Sequence, residues 1–491
     1  MRAELERIRT GIPGLDTVLG GGLLRGRSYI VQGNPGAGKT ILANQACFHR
    51  AAQGGQALFV TLLSESHDLL LQHLSTLDFF DESRVPESVY YISALGTLQR
   101  EGLDGVARLL REETASRKAS LLVFDGLLNV RDATGSAPDL KQFLQTVQTQ
   151  VAFAGCTILM LTSARLEDES PEHTVVDGVI ELGNAMAGVR TVRRLQVRKF
   201  RGGASLGGLH QFQIDSRGMT VFPRLEAQYA CPSAEDEMPF HEGRAGTGVA
   251  ALDAMMDGGL PRGSMTLAFG PSGIGKTTLG LHFLAAAPPD EPALHFGFYE
   301  SPPRLLAKAA ALGLDLRPGL ESGQLEILWQ PPTERLLDPL GHSLLDAVAR
   351  RGVKRLFIDG LGAFERAAIH PPRLVEYFTA LTNELRVRGV TALGSWEVPN
   401  IAGGVVEAPS PELSSVVENL VYMRFVEQKG RVNRVMAVLK LRDSAFDPNL
   451  QQFSITDRGL DLTRAERGSE AMLSGLAHQV GTEPAQRVPP A

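Results

Sequence analysis

Eight residues, Gly33-Asn34-Pro35-Gly36-Ala37-Gly38-Lys39-Thr40, fit the phosphate-binding pattern GxxxxGK[ST], and the pattern returns as Gly270-Pro271-Ser272-Gly273-Ile274-Gly275-Lys276-Thr277. Such a loop can hold a nucleoside triphosphate. Gly33, Gly36 and Gly38, like Gly270, Gly273 and Gly275, let backbone N–H groups turn toward phosphate oxygens. Lys39 and Lys276 bring a compact positive charge to the β and γ phosphates, and Thr40 and Thr277 offer a hydroxyl to Mg²⁺. Each half also supplies an acid at the end of an apolar run, Asp125 after Leu121-Leu122-Val123-Phe124 and Asp359 after Arg355-Leu356-Phe357-Ile358. A buried parallel strand delivers such a carboxylate to the edge of its sheet, where it can orient metal-bound water.

Chemistry of this kind needs a strand before the loop and a helix after it, and both are legible. Ser28-Tyr29-Ile30-Val31 and Met265-Thr266-Leu267-Ala268-Phe269 read as the strands. Residues Ile41 to Ala52 read as a helix, Ala57 to Leu62 as a strand and His67 to Leu77 as another helix, a βαβ rhythm. Late in each half, Val197-Arg198-Lys199-Phe200-Arg201 and Val438-Leu439-Lys440-Leu441-Arg442 read as strands. Residues i and i+2 of a strand share a face, so Lys199 should project with Arg201 and Lys440 with Arg442.

The repeat spans whole domains. Lys39 and Lys276 lie 237 positions apart, as do Asp16 and Asp253, and Gly22-Leu23-Leu24-Arg25-Gly26 returns as Gly259-Leu260-Pro261-Arg262-Gly263. A period of that length means tandem domains and not a solenoid. The expected class is α/β, two tandem P-loop domains, each a mostly parallel sheet flanked by helices. Residues 1–225 form the first, 226–245 a linker marked by Pro232, Ser233, Asp236, Pro239 and Gly243, 246–464 the second, and 465–491 a flexible tail.

With 491 residues, 43% hydrophobic and 21% charged, the composition is that of a globular protein with ample core. The formal net charge of −6 gives no general attraction to nucleic acids or anionic membranes. Cys47, Cys156 and Cys231 are far apart and form no C-x-x-C, which argues against a disulfide framework and a zinc site. The amino terminus lacks an apolar signal core, and no run of ~18 apolar residues occurs, so a soluble, cytoplasmic protein without membrane association is expected.

The phrase Thr10-Gly11-Ile12-Pro13-Gly14-Leu15-Asp16, the run Gly20-Gly21-Gly22-Leu23, two P-loops, two strand-end aspartates and a late Lys-x-Arg in each half together resemble the KaiC family, the double-domain branch of RecA-like ATPases. The likeness runs from about Arg7 to Leu462. It implies a homohexameric ring of two stacked tiers, Mg-ATP at subunit interfaces, slow hydrolysis and serine/threonine autophosphorylation in the second tier. By the same likeness, Lys199, Arg201, Lys440 and Arg442 would reach the γ-phosphate held by a neighbouring subunit. The family places two adjacent glutamates after the second strand of each domain. Here Leu63 and Ser64 take those positions in the first half, with Glu65 one residue further on, and the second half keeps Glu300 beside Tyr299. Glu300 is thus the expected catalytic carboxylate, and a one-residue slip turns Glu65 to the other face. Glu412-Leu413-Ser414-Ser415-Val416-Val417-Glu418 matches the family's phosphorylation segment, which makes Ser414 and Ser415 the expected acceptors.

Three functions compete at this level. The first is an ATP-driven, self-phosphorylating ring that signals to protein partners or keeps time. The second is a scaffold that binds nucleotide only to assemble. The third, a RecA/RadA-like recombination ATPase, ranks last because the charge is acidic and the CxxC module is absent.

Overall fold

A computed structural model of the chain describes residues 5–62, 67–133, 136–163, 170–230, 241–398, 416–428, 430–442 and 444–464. Glu65, Ser414, Ser415 and the tail 465–491 lie outside the described residues. The chain forms two units, Met1–Gln228 and Tyr229–Ala491, dividing inside the stretch read as a linker. On either side of that division, Leu225–Gln228 is a short helix, and Arg244–Ala245 pairs with Leu260–Pro261.

In the first unit the sheet order is Val89–Ser93, Ala57–Thr61, Leu121–Asp125, Thr157–Thr162, Ser28–Gln32, Gly178–Ala187, Arg190–Phe200, His210–Asp215, Gly218–Phe222. The strands up to Gly178–Ala187 run parallel and the rest extend the sheet antiparallel. Parallel strands must be covered on both faces, and Ser28–Gln32 and Ala57–Thr61 are buried throughout, their polar ends included. One face is covered by the helix Lys39–Ala52 through Leu42, Ala43, Ala46 and Cys47. The other is covered by Leu95–Ser116 and Ala137–Phe153 through Val106, Leu110, Leu140 and Leu144.

The second unit repeats this order strand for strand: Leu325–Trp329, Ala293–Gly297, Arg355–Asp359, Thr391–Glu397, Met265–Gly270, Asn419–Gln428, Arg431–Leu441, Gln451–Thr456, Gly459–Arg464. The entry turns repeat as well. Thr10 gives both its N–H and its hydroxyl to Asp16 Oδ1 at 2.9 and 2.8 Å, and Thr247 does the same to Asp253 Oδ1 at 2.7 Å each. Both sheets match the RecA-like architecture that the KaiC resemblance implies.

The late strands, Arg190–Phe200 and Arg431–Leu441, begin well before the stretches read from sequence but stop one residue sooner. They end at Phe200 and Leu441, so Arg201 and Arg442 have left the ladder that holds Lys199 and Lys440. The partner strands begin at Gly178 and Asn419, which pair with Phe200 and Leu441, and beyond them single bonds continue the contact, Arg201 N–H donating to Asp177 O at 2.8 Å and Arg442 N–H to Asn419 Oδ1 at 3.3 Å. Each ladder also shifts register just before the lysine, between Val179 and Ile180 and between Leu420 and Val421, leaving Arg198 and Leu439 as the extra residues of matching bulges.

Candidate functional site

Each P-loop turns from its strand into a helix through a glycine whose positive φ an L side chain rarely adopts, +102° at Gly38 and +121° at Gly275. The helices Lys39–Ala52 and Lys276–Ala285 start there without a side-chain cap. Their first N–H groups therefore face the loop mouth, where an anion satisfies them. The lysines fold over the same mouth. Lys39 Nζ donates to the carbonyls of Gly33 (2.7 Å) and Asn34 (3.1 Å), and Lys276 Nζ to those of Gly270 and Pro271, both at 2.7 Å. Burial pulls both ammonium pKa values below the ordinary lysine range, opposed by Asp125 in the first unit and by Glu397 and Asp359 in the second. A loop of open amides with a partly desolvated lysine fits a triphosphate.

Asp359 Oδ1 accepts from Thr277 Oγ1 at 3.2 Å and from Ser395 Oγ at 2.8 Å, bringing together the loop threonine and the strand-end carboxylate, two groups that could hold a divalent ion. Burial opposes ionisation of Asp359, but His295 together with the Ser395 and Thr277 hydroxyls outweighs it and holds the carboxyl below the ordinary range. At 3.9 Å from Oδ2, His295 Nε2 is beyond hydrogen-bond reach, so the two hydroxyls make the firm contacts. In the first unit Phe59 stands where the second has His295, and Asp125 pairs with Leu161 where Asp359 lies beside Ser395.

A cleft of about 920 Å³ opens over the second loop, lined by Lys276, Thr277, Asp359, Glu300, Lys308 and Tyr299 among others. Glu300 sits three residues beyond the strand Ala293–Gly297 and pairs with Lys308 Nζ at 2.6 Å. Tyr299, half exposed, has the Arg366 guanidinium 5.3 Å from its ring centroid. Lys440 and Arg442 are not brought to this cleft. Lys440 Nζ donates to Val417 O at 2.7 Å, and Arg442 lines a separate cleft of about 530 Å³ with Arg386, Glu418 and Asn419. In the first unit Lys199 donates to His173 O. Burial lowers the pKa of both lysines, and the adjoining Arg201 and Arg442 lower it further, so each pair remains a local cluster of positive charge despite the early strand end.

Sequence patterns missed His295, Ser395 and Lys308. His295 breaks the apolar run Ala293-Leu294-His295-Phe296, which was a usable signal, whereas Lys308 and Ser395 look like ordinary helix and strand residues until the chain is folded.

A family model described as a KaiC ATPase matches residues 8–226 and again residues 245–467. Among curated relatives, the circadian clock oscillator protein KaiC of Picosynechococcus sp. is 26% identical, the match covering 98% of this chain and 94% of the relative. The proteins of the same name from Synechococcus elongatus and Thermostichus vulcanus are also 26% identical, covering 96% and 98% of this chain and 92% and 93% of the relatives.

Proposed function

The chain belongs to the KaiC family of ATPases, and from that premise we propose that it is a ring-forming protein that binds Mg-ATP in both units, hydrolyses it chiefly in the second and phosphorylates itself there. Signalling or timing through its nucleotide or phosphorylation state, with protein partners, is the role we assign to it. The observation that carries this reading is the pairing of Thr277 and Ser395 with Asp359 beside a cleft that also holds Lys276 and Glu300. Mg²⁺ held by Thr277 and Asp359 supplies charge neutralisation at the phosphates. Lys276 then binds the triphosphate, and Glu300 is the carboxylate placed to take a proton. Across a subunit interface, Lys440 and Arg442 act on a neighbour's nucleotide, and Lys199 and Arg201 do so in the first tier. This makes a homohexamer the working form. Among the described residues no helix is long and apolar enough to cross a membrane.

Equilibrium dialysis with labelled ATP tests the foundation. Two nucleotides per chain are expected, and Lys39→Ala and Lys276→Ala should each remove one. A single site in the unaltered protein contradicts the two-site reading.

The kinase step is assigned to Ser414 or Ser415. In it the serine Oγ bonds to the γ-phosphorus, the bond from that phosphorus to the β–γ bridging oxygen breaks, ADP leaves, and the hydroxyl proton passes to Glu300. The segment ends at Glu418, whose Oε2 accepts from Met265 N at 2.9 Å and which pairs with Arg386. A phosphate added to the segment therefore meets a carboxylate already matched by a cation, which eases the like-charge conflict. Mass spectrometry after incubation with Mg-ATP should find phosphate within this segment and none in Lys276→Ala. An unmodified segment under conditions of measured turnover leaves an ATPase that switches without self-phosphorylation.

A further inference from the structure

Two positions near the strand-end aspartates differ between the units, Phe59 against His295 on one neighbouring strand and Leu161 against Ser395 on the other. Thr61 pairs with Asp125 in the first unit, and Gly297 pairs with Asp359 in the second. Two residues earlier stand Phe59 and His295. A Cβ on Gly297 would fall 2.2 Å from Cε1 of His295, so the imidazole leans across the space that a side chain at this position would fill. That lean brings Nε2 to 3.9 Å from Oδ2 of Asp359, while the ring edge rests on Phe357 at 5.5 Å between centroids.

His295 is 1% exposed, and neither ring nitrogen has a hydrogen-bond partner among the described residues. Burying an unpartnered imidazole is costly, and a phenyl ring fills the equivalent place in the first unit at no such cost. Packing alone therefore does not account for a histidine here. Of the groups around Asp359, the hydroxyls of Thr277 and Ser395 both hold Oδ1, and His295 is the polar ring that faces Oδ2.

We propose that His295 is a positioning residue of the second divalent-cation site. In the tautomer that protonates Nε2 the ring directs that N–H toward Oδ2 of Asp359, 3.9 Å away, while Thr277 and Ser395 hold Oδ1, so the carboxylate is steered to present one face to the cation. In the first site the corresponding positions hold Phe59 and Leu161. The proposal rests on the reading of Thr277 and Asp359 as the residues that hold Mg²⁺ beside a bound nucleotide. Outer partners of metal-binding groups set affinity through orientation, and their loss typically weakens metal binding by about 10- to 100-fold.

The test uses the full chain with Lys39→Ala to silence the first site. It is loaded with a non-hydrolysable ATP analogue and titrated with Mn²⁺, followed by the electron paramagnetic resonance signal of the free ion. His295→Phe, which copies the first unit, should weaken Mn²⁺ binding by about 10-fold or more, and His295→Gln, which keeps an N–H donor, should recover most of it. Thermal unfolding should show His295→Phe at least as stable as its parent, separating a lost donor from a damaged fold, and His295→Leu carries the same test if the phenyl variant does not fold. Equal Mn²⁺ affinity in His295→Phe and its parent overturns the proposal. So does equal weakening by Phe and Gln, which would make the residue a packing element. Absence of Mn²⁺ binding in the parent overturns the underlying cation-site reading instead.

Discussion

Alanine at Arg442 is expected to lower second-site ATP turnover by ~10³-fold or more while leaving ATP bound there, the loss seen when an arginine finger is removed from a P-loop enzyme. The expectation follows from where the residue sits. Arg442 lines a cleft with Arg386, Glu418 and Asn419, and it is absent from the lining of the cleft that holds Lys276, Thr277 and Asp359. Its neighbour Lys440 is tied to Val417 O and keeps the pair at that location. A charge held there acts on a nucleotide only if a second copy of the chain brings one to it. Mixing two inactive forms makes the point decisive. A Lys276→Ala chain cannot bind ATP in its second site but still offers Arg442, and an Arg442→Ala chain binds ATP but offers no finger. Mixed rings should regain part of the lost turnover, and neither form alone should do so. Arg442→Lys should not rescue, because a point charge does not reproduce the fork of a guanidinium. Normal turnover in Arg442→Ala, or in a protein that light scattering shows to stay monomeric with saturating Mg-ATP, contradicts a finger acting between subunits.

The loops, the strand-end acids and the tandem order were legible because each is local. A GxxxxGK[ST] run between an apolar strand and an apolar helix specifies its own backbone geometry, and Asp125 and Asp359 end runs that can only be buried strands. The late strands were legible as strands but not in their ends. Whether Arg201 and Arg442 continue a ladder is decided by where Gly178–Ala187 and Asn419–Gln428 begin, which the residues Lys-x-Arg themselves do not encode. Contacts made across the sheet were hidden for the same reason. Ser395 reaches Asp359 from a strand 36 residues further along the chain, and Lys308 reaches Glu300 over two helical turns. The sequence displays such residues but not their partners.

Glu300 supports the second large effect: Glu300→Gln should lower turnover by about 10²- to 10⁴-fold, the usual contribution of a positioned general base, with ATP binding retained. Its pairing with Lys308 at 2.6 Å raises the question whether the carboxylate is free to act. Both side chains are about one-third exposed, at 29% and 37%. An ion pair that open to solvent contributes about 0–1 kcal/mol, which delays release of the carboxylate by no more than a small factor. Lys308→Met should therefore change turnover by less than about 10-fold in either direction, far less than the loss from Glu300→Gln. In the first unit Leu63 and Ser64 occupy the glutamate positions, and Asp125 has Leu161 where Asp359 has Ser395. That site is expected to hold ATP with little turnover, so Glu65→Gln should leave the total rate nearly unchanged. Steady-state phosphate release from the two variants decides between the sites: if Glu65→Gln abolishes turnover and Glu300→Gln does not, the working and the structural site are the reverse of those assigned here.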